Sequence, residues 1–237
     1  MTLPPGAPPW VVAASGLARE ARIAAGPGVQ AVACGVDPQR LTVALERAVA
    51  SGACAIISFG LAGALVADVL PGAWIVGRSI VAPTVSRPCD AGWTQALLRR
   101  LPGARFADLA GSDTTVCQPV DKRALHEATG AIAVDTESHV AAAVASAHRL
   151  PFAAFRVIVD GMDQPLPAAA SIALGAHGEV RFAAIAVSIA RTPGQVPSLL
   201  RTAVSAHAAF AALSRGRRLL GLGLGYGDLR ELDVDVV

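Results

Sequence analysis

Acidic residues stand at or just after the ends of three apolar segments that have the composition of buried strands. Glu20 follows the first of these segments, Asp135 and Glu137 follow a middle one, and Asp160 ends the longest. Carboxyl groups held in a partly desolvated site can act as general acids or bases. In α/β sheets, ligands bind beyond the carboxyl ends of the strands. That rule selects residues 15–20, 60–63, 135–137 and 160 as a candidate site.

Each of these acids also has an ordinary structural explanation. Glu20 and Glu137 could be early-helix carboxylates, which the helix dipole favours. Asp135 could be the N-cap of the helix that follows it, and Asp160 could be a turn residue. Because three strand ends carry acids, we favour a shared site and keep the structural explanation open for each residue.

Other common reaction centres are not visible in the sequence. The stretch Gly60-Leu61-Ala62-Gly63, predicted as a tight loop, lets a backbone approach a ligand closely but matches neither a dinucleotide nor a P-loop motif. No G-x-S-x-G elbow occurs. The cysteines and histidines lack zinc-ligand spacing, so we expect reduced thiols and no metal. Lys122, the only lysine, stands in a polar segment; we expect it to be exposed, which argues against a Schiff base.

The composition is that of a single folded domain. The 237 residues are 53% hydrophobic and 16% charged, which is incompatible with general disorder. A net charge of +2 and 4% aromatic residues argue against a nucleic-acid groove. Residues 1–9 lack the basic region of a signal peptide. Glycines and prolines interrupt the apolar stretch 51–77, which argues against a membrane span. We therefore expect a cytoplasmic protein.

Apolar segments alternate with helical patterns along the chain. This alternation predicts one α/β domain over residues 1–237, with a mixed, mostly parallel sheet flanked by helices on both faces. Residues 1–9 and 221–237 are predicted to be peripheral tails. The predicted strands are 10–14, 29–34, 53–59, 73–81, 131–134 and 152–159. The predicted helices are 17–24, 38–50, 93–101, 120–128, 137–148, 179–191 and 197–213.

Five segments, in this order, resemble motifs of the nucleoside phosphorylase and nucleosidase superfamily. Residues 14–20 (ASGLARE) resemble the "GAMxxE" element of methylthioadenosine/S-adenosylhomocysteine nucleosidases, and residues 57–65 (ISFGLAGAL) resemble the "NxGxAGGL" loop. Residues 131–138 (AIAVDTES) resemble the "AVEMES/A" ribose motif, and residues 151–160 (PFAAFRVIVD) resemble the "PF…RxISD" strand. Gly111-Ser112-Asp113 matches the base-loop "SGD" loosely.

The resemblance implies cleavage of a purine N-glycosidic bond, with no cofactor except phosphate as a co-substrate if the reaction is a phosphorolysis. It implies that Asp160 is the general acid at purine N7 and that Glu20 activates water. Glu137 would accept hydrogen bonds from the ribose hydroxyls. The other substrate-binding residues that it implies are Thr136, Asp135, Phe152, Gly63 and Ser112, although a core position also explains Phe152.

Three departures from the family pattern bear on the reaction. Asp135 and Thr136 replace the Glu and Met of the ribose motif, and Val159 replaces the Ser before the acid. Leu61 stands where the family usually carries Ser or Thr, whose hydroxyl helps to bind phosphate or water. Glu20 beside the nucleophile also disfavours phosphate. We therefore favour hydrolysis over phosphorolysis.

Within the superfamily, the alanine-rich chain most resembles the hopanoid-associated branch, whose members would convert adenosylhopane to ribosylhopane and adenine. The apolar residues of 161–178 (Met162, Leu166, Ile172 and Leu174) could then face a lipid-linked 5′ group. With a lipid substrate, we expect the cytoplasmic protein to be peripheral to the membrane. The superfamily commonly forms dimers or hexamers, so we expect a homo-oligomer. The alternatives within the superfamily are a phosphorolytic purine nucleoside phosphorylase and a methylthioadenosine/S-adenosylhomocysteine nucleosidase. A non-catalytic purine-binding protein on the same fold is the alternative of a different class.

Overall fold

Runs of small and β-branched apolar residues form eight strands, and most of the segments between them form helices. The computed structural model describes residues 10–82, 84–166, 179, 194 and 196–226. The strands are β1 (Trp10–Ser15), β2 (Val29–Ala33), β3 (Ala53–Ala64), β4 (Trp74–Ala82), β5 (Val85–Pro88), β6 (Arg105–Gly111), β7 (Ala133–Asp135) and β8 (Phe152–Asp160). The helices are α1 (Ala18–Ala24), α2 (Pro38–Ala50), α3 (Ala91–Arg100), α4 (Pro119–Thr129), α5 (Ser138–Ala147) and α6 (Val196–Leu220).

Local sequence signals set several of these boundaries. Asp37 caps α2 by accepting a hydrogen bond from the Arg40 backbone N–H at 3.0 Å, and Pro38 occupies the first helical turn. Gly130 ends α4 in the left-handed conformation at φ 69°, which only glycine adopts without a steric cost. The sequence predicted both ends of α2, and it predicted both ends of α4 to within one residue.

The strands form one mixed sheet in the order β2-β1-β3-β7-β6-β4-β5, and β8 pairs with both β3 and β4. Five of the eight strand pairings are parallel. Because β8 joins β3 to β4, the strands β3, β7, β6, β4 and β8 pair in a closed ring. This closure brings the end of β8 next to the ends of β3 and β7.

Apolar side chains cover both faces of the sheet. On one face, α2 and α5 pack over a cluster that contains Ile56, Ile75 and Ile158. On the other, α3 and α6 cover a cluster that contains Phe59, Trp93 and Phe155. The fold is therefore the predicted α/β domain with a mixed, mostly parallel sheet between two layers of helices.

Two strands and one turn were not predicted correctly. β6 and β5 were missed: β6 is rich in polar and half-buried residues, and β5 is an exposed four-residue strand that ends in proline. The predicted loop 60–63 is wrong, because these residues continue β3 and pair with residues 156–160 of β8. Glycines are tolerated in this strand because neighbouring side chains fill the space above them.

The predicted tail begins as part of the core. Leu222–Gly225 forms a short 3₁₀ helix, and Leu224 is fully buried. Trp93 donates its indole N–H to the Leu224 carbonyl at 2.9 Å. Residues 1–9, 227–237 and nearly all of the predicted helix 179–191 lie outside the described residues. Among the helices that the structure does describe, none is long and apolar enough to cross a membrane.

Candidate active site

The acids selected from the sequence line one cavity of about 400 Å³. Its floor is formed by the ends of β3, β7 and β8 and by the start of α1. Carboxyl groups from Glu20, Asp135, Glu137 and Asp160 line this floor. The opposite wall is one face of α6, and it presents Leu199, Thr202, Ala203, Ala206 and Phe210. The volume suits a small organic molecule.

Glu20 bridges the start of α1 to β3. Its Oε2 accepts the backbone N–H groups of Gly16 at 3.0 Å and Leu17 at 2.7 Å, and its Oε1 accepts that of Leu61 at 2.8 Å. The side chain is buried. Burial and the nearby Glu137 raise the pKa of Glu20 to about 7. A carboxyl group with such a pKa is half ionised near neutral pH, where a general base works best.

Arg156 is the buried counter-ion of this cluster. It is fully buried on β8, and its Nη1 lies 3.0 Å from Glu137 Oε2 while its Nη2 lies 3.1 Å from Asp135 Oδ1. Nη2 also donates to the hydroxyl of Ser58. One guanidinium thus serves two carboxylates directly and, through space, also opposes the rise in the pKa of Glu20.

Asp135 and Glu137 have different tasks although they are two residues apart. Asp135 Oδ1 accepts hydrogen bonds from the backbone N–H groups of Glu137 at 2.9 Å and Ser138 at 2.7 Å. Asp135 thus binds the backbone at the start of α5, but the N-cap position itself is Glu137 and not Asp135 as predicted. Glu137 accepts hydrogen bonds from the Thr136 hydroxyl and from Arg156. Burial raises the pKa of Glu137, which Arg156 opposes. Both acids line the cavity, and Thr136 does as well.

Asp160 forms a second, separate ion pair with Lys122 of α4. Both side chains are buried, with exposed fractions of 3% and 0%. The expectation that Lys122 is exposed is therefore wrong. The polar residues around it face solvent, whereas Lys122 turns inward and donates to Asp160 Oδ2. Burial raises the pKa of Asp160 above its usual value, and Lys122 opposes that rise.

Glycines let the charged groups meet. A Cβ added to Gly60 would stand 2.7 Å from Glu20 Cδ and 2.8 Å from Arg156 Nη1. A Cβ on Gly16 would stand 2.5 Å from Glu137 Oε1. Gly63 pairs with Asp160 across β3 and β8 and also lines the cavity. The sequence "FGLAG" thus supplies space for carboxylates, rather than the loop that was predicted.

Two of the predicted substrate-binding residues do not line this cavity. Phe152 begins β8 and is buried in the core; the eight residues from there to Asp160 put it about 26 Å from the acid along an extended strand. Phe152 therefore lies outside this cavity, and its contact with substrate stays a prediction. Ser112 shapes the loop after β6 by donating its hydroxyl to the Thr114 carbonyl at 2.7 Å. Its neighbours Thr114 and Thr115 line the cavity instead.

Sequence reasoning missed the roles of Arg156 and Lys122 in this site. Arg156 interrupts an otherwise apolar strand, and a charge in such a place is buried only when it is paired. That signal was available. For Lys122 the sequence held no such signal, because its partner Asp160 is 38 positions away. Of the predicted apolar mouth, Leu166 lines the cavity, Met162 does not, and Ile172 and Leu174 lie outside the described residues.

The sequence also led to expectations about metal-ligating side chains and cysteine thiols. Across the parts of the chain that the structure describes, no group of three or more metal-ligating side chains comes together. All four cysteines are free thiols.

Solved structures of nucleosidases and of a futalosine hydrolase share the fold at low sequence identity, and three of them illustrate this. A futalosine hydrolase of Helicobacter pylori is 16% identical, with 77% of this chain and 97% of that chain covered at a TM-score of 0.58. A methylthioadenosine/S-adenosylhomocysteine nucleosidase of Helicobacter pylori is 14% identical, with 88% and 97% covered at 0.62. The corresponding nucleosidase of Streptococcus pneumoniae is 14% identical, with 86% and 99% covered at 0.57.

A match to a protein-family model identifies the family of the chain. No curated protein sequence matches the chain significantly. The family model of the phosphorylase superfamily matches residues 9–191, which include every acid of the cavity. The match confirms the predicted enzyme class at the level of the superfamily. The chain belongs to the phosphorylase superfamily.

Proposed function

We propose that this enzyme hydrolyses the N-glycosidic bond of a purine nucleoside. The observation that carries the proposal is that Glu20, Glu137 and Asp160 line one cavity, while each has a different set of buried partners. Glu20 is held by backbone N–H groups, Glu137 by Arg156, and Asp160 by Lys122. Environments that set apart the proton affinities of neighbouring carboxyl groups are typical of acid–base pairs.

Asp160 is the proposed general acid. A purine leaves as an anion unless it is protonated, so a proton delivered to N7 lowers the barrier to cleavage. Burial raises the pKa of Asp160 and so favours the protonated form that this step needs. As C1′–N9 breaks, the proton moves from Asp160 to N7, and the base departs neutral.

Glu137 and its neighbours stabilise the sugar. Glu20, Asp135 and Glu137 surround a single cation, Arg156, so the cluster is negative whenever two or more of these acids are ionised. Surplus negative charge next to a sugar favours an oxocarbenium-like transition state. Glu137 lines the cavity. In this proposal it accepts hydrogen bonds from the ribose hydroxyls.

Water is the nucleophile that fits this cavity best. No arginine or lysine is among the described residues that line it. A phosphate dianion needs such cations or a cluster of free N–H donors, and the buried acids would repel it. Oε1 of Glu20 accepts only one hydrogen bond from the described residues and keeps a lone pair for a water molecule.

The wall formed by α6 supports an apolar 5′ group. Leu199, Ala203 and Phe210 face the cavity, and on the same helix Leu200 and Val204 are exposed. Large exposed apolar side chains beside a cavity favour an apolar ligand or a covering partner. We therefore propose adenosylhopane as the substrate, with ribosylhopane and adenine as products. Association into a homo-oligomer stays a prediction.

A nucleoside panel tests the proposal. Adenosine, methylthioadenosine, inosine and adenosylhopane are incubated with enzyme, with and without phosphate, and the products are identified by mass spectrometry. We expect free base and free sugar at the same rate in phosphate-free buffer. Strict phosphate dependence with a sugar 1-phosphate product would replace hydrolysis by phosphorolysis.

Two substitutions separate catalysis from mere binding. Asp160→Asn is expected to lower turnover by roughly 10²-fold or more. Asp163→Asn is the matched control, because Asp163 is only three residues away but its side chain is 64% exposed. Equal turnover in both variants would remove Asp160 from the mechanism. Tight purine binding without any cleavage by the wild-type protein would favour a non-catalytic binding protein.

A further inference from the structure

The ammonium group of Lys122 uses its hydrogen-bonding capacity on a single segment. Besides Asp160, it donates to the carbonyl of Gly161 at 2.8 Å and to that of Gln164 at 3.2 Å. An ammonium has three donors, and residues 160–164 take all of them. Lys122 therefore fixes the carboxyl group and the turn that follows it as one unit.

This arrangement divides the two oxygens of Asp160. Oδ2 is bonded to Lys122, whereas Oδ1 has no hydrogen-bond partner among the described residues. Asp160 lines the cavity, but Lys122 does not. Oδ1 is thus the oxygen that is left to carry a proton to a ligand, and Lys122 acts only through Asp160.

The buried ion pair of Lys122 and Asp160 adds little to the stability of the fold. A buried ammonium loses its hydration, and its attraction to one carboxylate rarely gives net stability over an apolar pair. Lys122 is the only lysine of the chain, and it is completely buried. Cys117 is the other titratable group beside the pair, and burial, with a smaller effect of Asp160, raises the pKa of its thiol.

We propose that Lys122 is a positioning residue that strengthens Asp160 as an acid at the moment of proton transfer. The inference rests on the proposed function. When the Oδ1–H bond breaks and the N7–H bond forms, a carboxylate appears in a buried site. The ammonium already in contact with Oδ2 stabilises that carboxylate, and it neither gains nor loses a proton.

The leaving group decides between this role and a structural one. Adenine needs a proton to leave, whereas 4-nitrophenolate leaves as a stable anion. We therefore compare adenine release with cleavage of 4-nitrophenyl riboside in wild type, Lys122→Gln, Lys122→Arg and Arg123→Gln. Arg123→Gln is the matched control, because Arg123 is the next residue and pairs with Asp163 at the surface.

We expect Lys122→Gln to lower kcat for adenine release about 10- to 100-fold, a part of what a general acid supplies. Its kcat for the nitrophenyl riboside should stay within about threefold, and Lys122→Arg should recover part of the loss. Equal losses on both substrates, or no loss on either, would overturn the proposal. Failure of the wild-type enzyme to release any base would instead overturn the proposed function.

A second measurement needs no substitution at Lys122. Because the chain has one lysine, protein labelled with ¹³Cε-lysine gives one side-chain resonance. This resonance is expected to shift as Asp160 titrates, to lose that step in Asp160→Asn, and to keep it in Asp163→Asn. A resonance that is the same in wild type and Asp160→Asn would show that the two side chains do not meet, and the proposal would fail.

Discussion

Removing the cation of the buried cluster is the sharpest test of how the site is built. Arg156→Met replaces the aliphatic stem of arginine by an unbranched side chain of similar length but leaves Asp135 and Glu137 without their counter-ion. Breaking a buried ion pair by removing one partner costs about 3–5 kcal/mol. Here one guanidinium serves two carboxylates, so we expect a loss near the upper end, about 5 kcal/mol at pH 8.

The loss should depend on pH in a defined direction. The pKa of Glu137 is raised in the folded protein, and without Arg156 it rises further, because Arg156 is the group that lowers it. A carboxyl group with a raised folded pKa contributes stability below its unfolded pKa of about 4.3 and loses that stability as the pH rises through the folded pKa. The penalty of Arg156→Met should therefore be smaller at pH 5.5 than at pH 8.

Urea unfolding followed by tryptophan fluorescence measures both values. Wild type, Arg156→Met, Arg156→Lys and Arg156→Met with Glu137→Gln are compared at pH 5.5 and 8. Arg156→Lys keeps the charge without the two-pronged geometry and should fall in between. The double variant should regain part of the loss. A penalty below about 1 kcal/mol, or one that is equal at both pH values, would refute a buried counter-ion role.

Five further outcomes are expected. The rate of base release should rise with pH through about 7, because Glu20 must lose its proton to act as the base, and Glu20→Gln should remove that limb of the pH–rate profile. The same raised pKa lowers wild-type stability between pH 4.5 and above 7 by roughly 3 kcal/mol, and urea unfolding of Glu20→Gln should show a smaller fall. Gly60→Ala should lose nearly all turnover, because the added Cβ would overlap Glu20 and Arg156. Gly161→Ala is the control and should keep its fold, because a Cβ there would meet no atom of the other described residues within 4 Å. Circular dichroism and activity assays compare the two variants. Trp93→Phe should lose about 1–3 kcal/mol by leaving the buried Leu224 carbonyl without its donor, as urea unfolding would show. Proton NMR of a β-nucleoside digest should show the α-anomer of the sugar first, and the β-anomer first would contradict direct attack by water.

The parts of the fold that local sequence determines could be predicted. Pro38–Ala50 was predicted to the residue, because Pro38 and the helical spacing of its apolar residues mark the same helix. β5 and β6 could not be found in this way. β5 has no buried residue and β6 has only Leu109 and Ala110, and β6 gains its place in the sheet from pairing with β4 and β7. Such pairing involves residues distant in sequence, which no local pattern reveals.

The site shows the same division between local and distant information. The acids could be located because each follows a strand, and strands are visible as apolar runs. Their partners could not, because Lys122 and Asp160 are 38 positions apart and meet only after β8 closes the ring. The polar neighbours of Lys122 led to the wrong expectation that it is exposed. Its burial depends on which face α4 packs against the rest of the protein, and its neighbours in sequence do not show that.

The proposed base and the proposed acid contact β3 two residues apart. Glu20 bonds to the backbone of Leu61, and Asp160 pairs with Gly63 on the same strand. Two residues of a strand span about 7 Å. Carboxyl groups separated by about 6.5–9.5 Å leave room for a water molecule to attack a sugar directly, with inversion. A covalent sugar–enzyme intermediate needs the two carboxyl groups to be closer together, at about 5–5.5 Å, so that one of them can attack the anomeric carbon. Glu20 and Asp160 thus contact β3 at points far enough apart for a water molecule to fit between them, and this is the structural reason to expect single-step hydrolysis.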